Sequence, residues 1–199
     1  MPRPALHDTD ALLDAARELV IETGPRAVGI RDIATRSGAP SGSLYHRFGS
    51  RDNVLARAWL RAVDRFQAGF VPALEIEDGR AAVAAAVRWS ATFARSQPAD
   101  TQLLLRFGRD DLLDDAPAPE LAAELTAVNA SLERAVRGLA RRLFGTVSRA
   151  SVERTTYAVV DLPYAVLRRH LLADTLDGAS VAALESAALA IVDEREAVR

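Results

Sequence analysis

Residues 37–52 read S-G-A-P-S-G-S-L-Y-H-R-F-G-S-R-D, and this stretch decides the fold. Gly38 can take the positive φ that ends one helix, and Pro40 suits the start of the next, so a tight turn joins two helices. At about 100° per residue, Leu44 and Phe48 fall on one side of the second helix, while Gly42, Ser43 and His46 point roughly the opposite way. One side is core and the other is small and polar. Tyr45 and Arg47 project from the flanks, where a helix lying in a DNA groove brings them near the phosphates of either strand. The alternative is an ordinary helical hairpin whose outer face is merely solvated.

Charge distribution separates these readings better than net charge does. The 199-residue chain has a formal charge of −2, yet residues 24–51 hold Arg26, Arg31, Arg36, Arg47 and Arg51 against Asp32 alone, which makes that segment +4 and the remainder −6. A basic patch on an otherwise acidic molecule favours phosphate contact by that patch and not general adhesion to a membrane. All 25 basic residues are arginine, which points to coding composition and marks no site.

The run from Gly24 to Asp52 resembles the helix-turn-helix domain of the TetR family of transcriptional regulators. The motifs that carry the resemblance are I-R-D-I-A (30–34), S-G-A-P-S-G-S-L-Y-H-R-F (37–48) and G-S-R-D (49–52), in about the first third of the chain. It implies DNA binding through Ser41, Gly42, Ser43, Tyr45, His46 and Arg47, with Arg31 and Arg51 near phosphates. Ser43 is the candidate for a base edge, and Tyr45 and His46 resemble backbone contacts. Two positions depart from the pattern. Gly29 stands where many relatives carry a threonine that bonds a phosphate, leaving only a backbone N–H there. Pro40 replaces a frequent serine cap, a role that Ser41 could take.

With 49% hydrophobic residues, Ala and Leu dominant and no alternating β-branched runs, the expected class is all-α, with ample material for a core. The absence of cysteine excludes disulfides and thiolate metal sites and permits a reducing cytoplasm, the expected location. No signal-like or membrane-spanning apolar stretch is present, so a soluble protein is expected. Arg3 lies in an N-terminal arm that can touch the minor groove but, like most short termini, is expected to be disordered.

A first helix capped by Asp8 or Thr9 runs to Gly24-Pro25, and its stripe of Leu12, Ala15, Ala16, Leu19 and Val20 should meet Ile33, Leu44 and Phe48. Ser50 caps a long fourth helix that reaches Phe70, before Val71-Pro72, and links a DNA-binding domain of residues 1–52 to a second domain of residues 53–199. Further helices follow over 80–96, from Pro98, over 121–143 up to Gly145, over 152–172 with a kink at Pro163, and after Gly178 with Ser180 as cap. Between 108 and 119 the sequence reads as a loop. Its aspartates, 110, 111, 114 and 115, lack the glycine and ligand pattern of a calcium loop, and no metal is assigned.

The resemblance implies that the last two helices, doubled by a two-fold axis, form a four-helix homodimer interface; intramolecular packing is the alternative use of their apolar faces. It also implies a largely apolar small-molecule effector in the second domain, with Trp59, Phe66, Trp89, Phe93, Phe107, Tyr157, Asp161 and Tyr164 as lining candidates. Each apolar one has core packing as its alternative, and Asp161, the one charge in a ten-residue apolar run, either orients a ligand or satisfies buried donors. The function implied is a ligand-responsive regulator, a repressor above all, acting on a pseudo-palindromic operator. A DNA-binding protein whose second domain takes a protein partner is the alternative. Enzyme chemistry is disfavoured, because His7, His46 and His170 lie in separate modules and no catalytic motif or cofactor fingerprint occurs.

Overall fold

A computed structural model of the chain describes residues 8–173 and 175–193; Arg3 and His7 lie outside them. Eleven α-helices occur among the described residues, and no strand does, as the composition predicts. They are α1 (Thr9–Thr23), α2 (Ile30–Ser37), α3 (Ser41–Phe48), α4 (Arg51–Leu74), α5 (Gly79–Ser96), α6 (Pro98–Arg106), α7 (Arg109–Leu112), α8 (Pro119–Phe144), α9 (Arg149–Thr156), α10 (Leu162–Ala173) and α11 (Gly178–Asp193). A 3₁₀ turn, Pro25–Ala27, precedes α2, and a π turn, Tyr157–Asp161, joins α9 to α10.

By packing, the chain forms two compact units, one within Met1–Asp64 and Ala99–Val128, the other within Arg65–Pro98 and Asn129–Arg199. This grouping by contacts is drawn differently from the division by function at residues 52 and 53. In the first unit Leu12, Ala16, Val20, Ile33 and Leu44 are buried together, as their spacing predicts. Leu103 and Leu112, distant in sequence, complete the same core. A buried ion pair adds to it: Arg17 donates to Asp100 at 2.5 Å, the Asp100 side chain being wholly inaccessible. In the second unit Phe70, Val83, Val87, Val136, Leu139, Val159, Leu184 and Ala188 form the core, so α5 is buried on most sides by α8, α10, α11 and the π turn.

Several local expectations change. The fourth helix runs past Phe70 to Leu74 with Pro72 in its last turn. Pro72 and Ala68, whose carbonyl loses its usual donor, are both exposed, so water can take that bond. The loop after Gly108 begins as the short α7, with the Asp111 carboxylate accepting the Gly108 N–H at 2.8 Å. Pro163 has no N–H to give to the turn before it, and the helix answers with the π turn, in which the Leu162 N–H reaches back five residues to the Tyr157 carbonyl. The cap of α11 is Asp177 and not Ser180, whose N–H it accepts at 2.7 Å; hydrogen bonding to the Ser180 side chain and then to this N–H holds the Asp177 carboxyl below its ordinary pKa.

Candidate nucleic-acid interface

The turn between α2 and α3 is built as its residues dictate. Gly38 closes α2 in the left-handed region at φ 69°, and its N–H meets the Ala34 and Thr35 carbonyls. Pro40 precedes α3, and its carbonyl accepts the Ser43 N–H at 2.9 Å. Ser41 opens the helix without making a side-chain cap. Leu44 is fully buried, which turns Gly42, Tyr45 and His46 outward, with Tyr45 54% exposed and Ser41, Ser43 and Arg47 half-buried beside them. A Cβ placed on Gly42 would meet no atom of the described residues within 4 Å, so this position leaves room for close approach. Arg47 reaches back to the Thr9 hydroxyl at 2.9 Å, tying α3 to the start of α1.

The basic patch is weaker than the sequence count suggests. Arg36 forks onto Glu22 at 2.9 and 2.6 Å, with Glu18 at 3.5 Å, and the hydrogen bond from Arg36 lowers the Glu22 pKa. Arg51, expected near phosphates, is turned into the fold and bonds Val28, Pro25, Leu112, Asp52 and Asp114. Arg31 is exposed, and its guanidinium has no hydrogen-bond or ion-pair partner among the described residues; its carbonyl accepts the Thr35 hydroxyl at 2.9 Å. The Gly29 N–H, left as the fallback phosphate donor, is already taken by the Asp32 carboxylate at 2.8 Å.

The effector candidates do not converge. Trp59 and Phe107 pack against the core of the first unit, where the Trp59 indole N–H has no partner among the described residues and Arg106 lies over the Phe107 ring at 5.2 Å. Phe66, Trp89 and Phe93 belong to the second unit and pack with Phe70: Phe66 stacks on Phe70 at 4.7 Å, and the Trp89 indole donates to the Phe66 carbonyl at 2.9 Å. Tyr157 and Asp161 line an open cleft of about 550 Å³ with Arg137, Ser148, Glu153 and Thr156. Asp161 is exposed there, not the buried charge its apolar surroundings suggest. The Tyr157 hydroxyl donates to Glu153 at 2.8 Å, which raises its pKa. Tyr164 is 47% exposed and does not line this cleft. Sequence reading passed over Arg137 and Glu153, because they sit on helices assigned by their apolar residues.

Residues 12–58 match the family model described as bacterial regulatory proteins, tetR family. Over 44 residues the chain is 50% identical to the HTH-type transcriptional repressor KstR2 of Rhodococcus jostii (strain RHA1), 22% of each chain. Over 66 residues it is 33% identical to the HTH-type transcriptional repressor ComR of Escherichia coli (strain K12), 33% of this chain and 31% of the other. These matches span less than a third of the length of the curated relatives. Among solved structures, the TetR family transcriptional regulator PfmR of Thermus thermophilus superposes with a TM-score of 0.70 at 19% identity, covering 96% of this chain and 98% of that one. The transcriptional regulator FadR of Bacillus subtilis, in complex with stearoyl-CoA, gives 0.68 at 14% identity, covering 93% of this chain and 97% of that one. At such identities the likeness is one of fold.

Proposed function

Because the chain belongs, through residues 12–58, to the tetR family of bacterial regulatory proteins, we propose that it is a homodimeric, ligand-responsive transcriptional regulator, a repressor released from a pseudo-palindromic operator by a small molecule. The observation that carries this reading is α3, a short helix buried through Leu44 that turns Gly42, Tyr45 and His46 outward. In this proposal Ser41, Gly42 and Ser43 face the major groove, Tyr45, His46 and Arg47 meet the backbone, and Arg31 attracts a phosphate. All of these contacts precede residue 53, so the division of the chain at 52 describes what touches DNA. Its place of action is the bacterial cytoplasm, with the chromosome.

A dimer is proposed on two grounds. One short helix reads too few bases, whereas two of them about 34 Å apart read both halves of a palindrome. The outer face of α11 is made of small side chains, Ala182, Ala183, Ser186, Ala187 and Ala190, which lets another helix approach closely. For the effector, the polar cleft that holds Tyr157 and Asp161 is the proposed site, so a ligand with charged or hydrogen-bonding groups fits better than a purely apolar one.

The test is a gel shift on DNA upstream of the protein's own gene, repeated with candidate effectors. Stearoyl-CoA, which the B. subtilis neighbour binds, is the first to include. Failure to shift any such DNA at low salt refutes the DNA reading. A shift that no bound compound alters refutes the coupling to an effector.

A further inference from the structure

We propose that Arg51, Asp52 and Asn53 are positioning residues for DNA reading, which brace the helix-turn-helix against residues 112–118 and touch no phosphate themselves. The proposal rests on the reading of α3 as the helix that meets DNA. At the approach to α2, Arg51 Nε donates to the Val28 carbonyl at 2.9 Å and Nη2 to the Pro25 carbonyl. Its Nη1 meets Asp52, the Leu112 carbonyl at 3.3 Å and Asp114 at 3.0 Å. All three guanidinium nitrogens are thus engaged, and 17% of the side chain is exposed.

The next two residues complete the brace. Asp52, its side chain 8% exposed, accepts the N–H groups of Asp114 and Asp115 at 3.0 and 2.8 Å. Asn53 spans the far end: its Nδ2 donates to the Phe48 carbonyl, the last of α3, at 2.7 Å, and its Oδ1 accepts the Ala118 N–H at 3.0 Å. Successive residues of a helix point about 100° apart, so one turn of α4 holds three directions at once. The approach to α2 and the end of α3 are therefore both fixed to residues 112–118, and Leu112 is 2% exposed in the core that holds Ile33 and Leu44. Small displacements of a docking group cost much binding, so a support of this kind acts on affinity without contact.

Operator affinity measured against salt concentration separates the two roles of Arg51, using the full chain and the upstream DNA that it shifts. A phosphate contact survives Arg51→Lys, which keeps the charge, and Arg51→Ala then lowers the slope of log K against log salt by about 1. A guanidinium brace fails in both. The expected result is binding weaker by about tenfold for Arg51→Lys, Arg51→Ala and Asn53→Ala, with the slope unchanged. Affinity kept in Arg51→Lys, a slope reduced in Arg51→Ala, or parental binding by Asn53→Ala overturns the proposal. Thermal melting shows whether each variant is folded. Where one is not, Asn53→Asp takes its place: it keeps the acceptor for Ala118 and loses the donor to Phe48, and the same loss is expected. If the parent chain itself binds no DNA, the reading of α3 falls first and the proposal with it, an outcome told apart by the parent alone.

Discussion

At the scale of single residues, α3 and α2 offer DNA two different chemistries. Tyr45 is exposed and neutral, so Tyr45→Ala should weaken binding to every sequence and barely change its salt dependence, whereas Arg31→Ala should reduce the slope of log K against log salt by about 1. Fluorescence anisotropy titrations at several salt concentrations check both, and equal slopes for Arg31→Ala and the parent would show that Arg31 meets no phosphate. Gly42 and His46 were legible as outward because helical spacing places them opposite Leu44, whereas Ser43, expected with them, is half-buried and Tyr45, expected on a flank, is exposed. The fate of Arg36 and Arg51 was not, since their partners at 22, 25, 28, 112 and 114 are brought up only by tertiary folding. A count of positive charges along the chain cannot tell an arginine that faces solvent from one whose nitrogens are already bonded.

At the scale of elements, most helix positions followed from caps and glycines: Asp8 caps α1, Ser50 accepts the Asn53 N–H at 3.2 Å, and Gly145, at φ 71°, ends α8. What sequence could not show is how closely helices approach. Gly69 on α4 faces the Trp89 ring of α5 so tightly that a Cβ would lie 2.5 Å from Cζ2 and 2.6 Å from Cε2 and Cη2. Alanine normally stabilises a helix interior over glycine by about 1 kcal/mol. Here the ring is held by the indole bond to the Phe66 carbonyl, and three of its atoms stand in the way. Gly69→Ala should therefore destabilise the protein by about 1–3 kcal/mol, read by urea unfolding, and a gain in stability would mean that Trp89 swings aside freely. The π turn escaped for a related reason: apolar residues crowd all sides of 157–167, so periodicity carries no phase that an extra residue could disturb.

At the scale of the whole molecule, the reading of an N-terminal DNA-binding region was legible from its motifs, but the extent of its core was not. Leu112→Ala, more than fifty residues beyond the stretch that matches the family, should cost about 2–5 kcal/mol and weaken operator binding, as measured by thermal unfolding and titration. Ala187→Glu should leave folding intact, since Ala187 is exposed, yet convert the proposed dimer to a monomer in light scattering; a mass equal to a dimeric parent's would move the dimer face away from α11. The alternation of the two units along the chain carries a consequence for recombination. The backbone passes between them at 64/65, 98/99 and 128/129, each time within a helix, so no single crossover can exchange one unit for that of another regulator. A chimera spliced after residue 52 would inherit foreign side chains at the places of Leu103, Leu112, Asp114 and Ala118. The second unit of this chain is therefore exchangeable only when residues 99–128 travel with the N-terminal part, as an island inside the donated sequence.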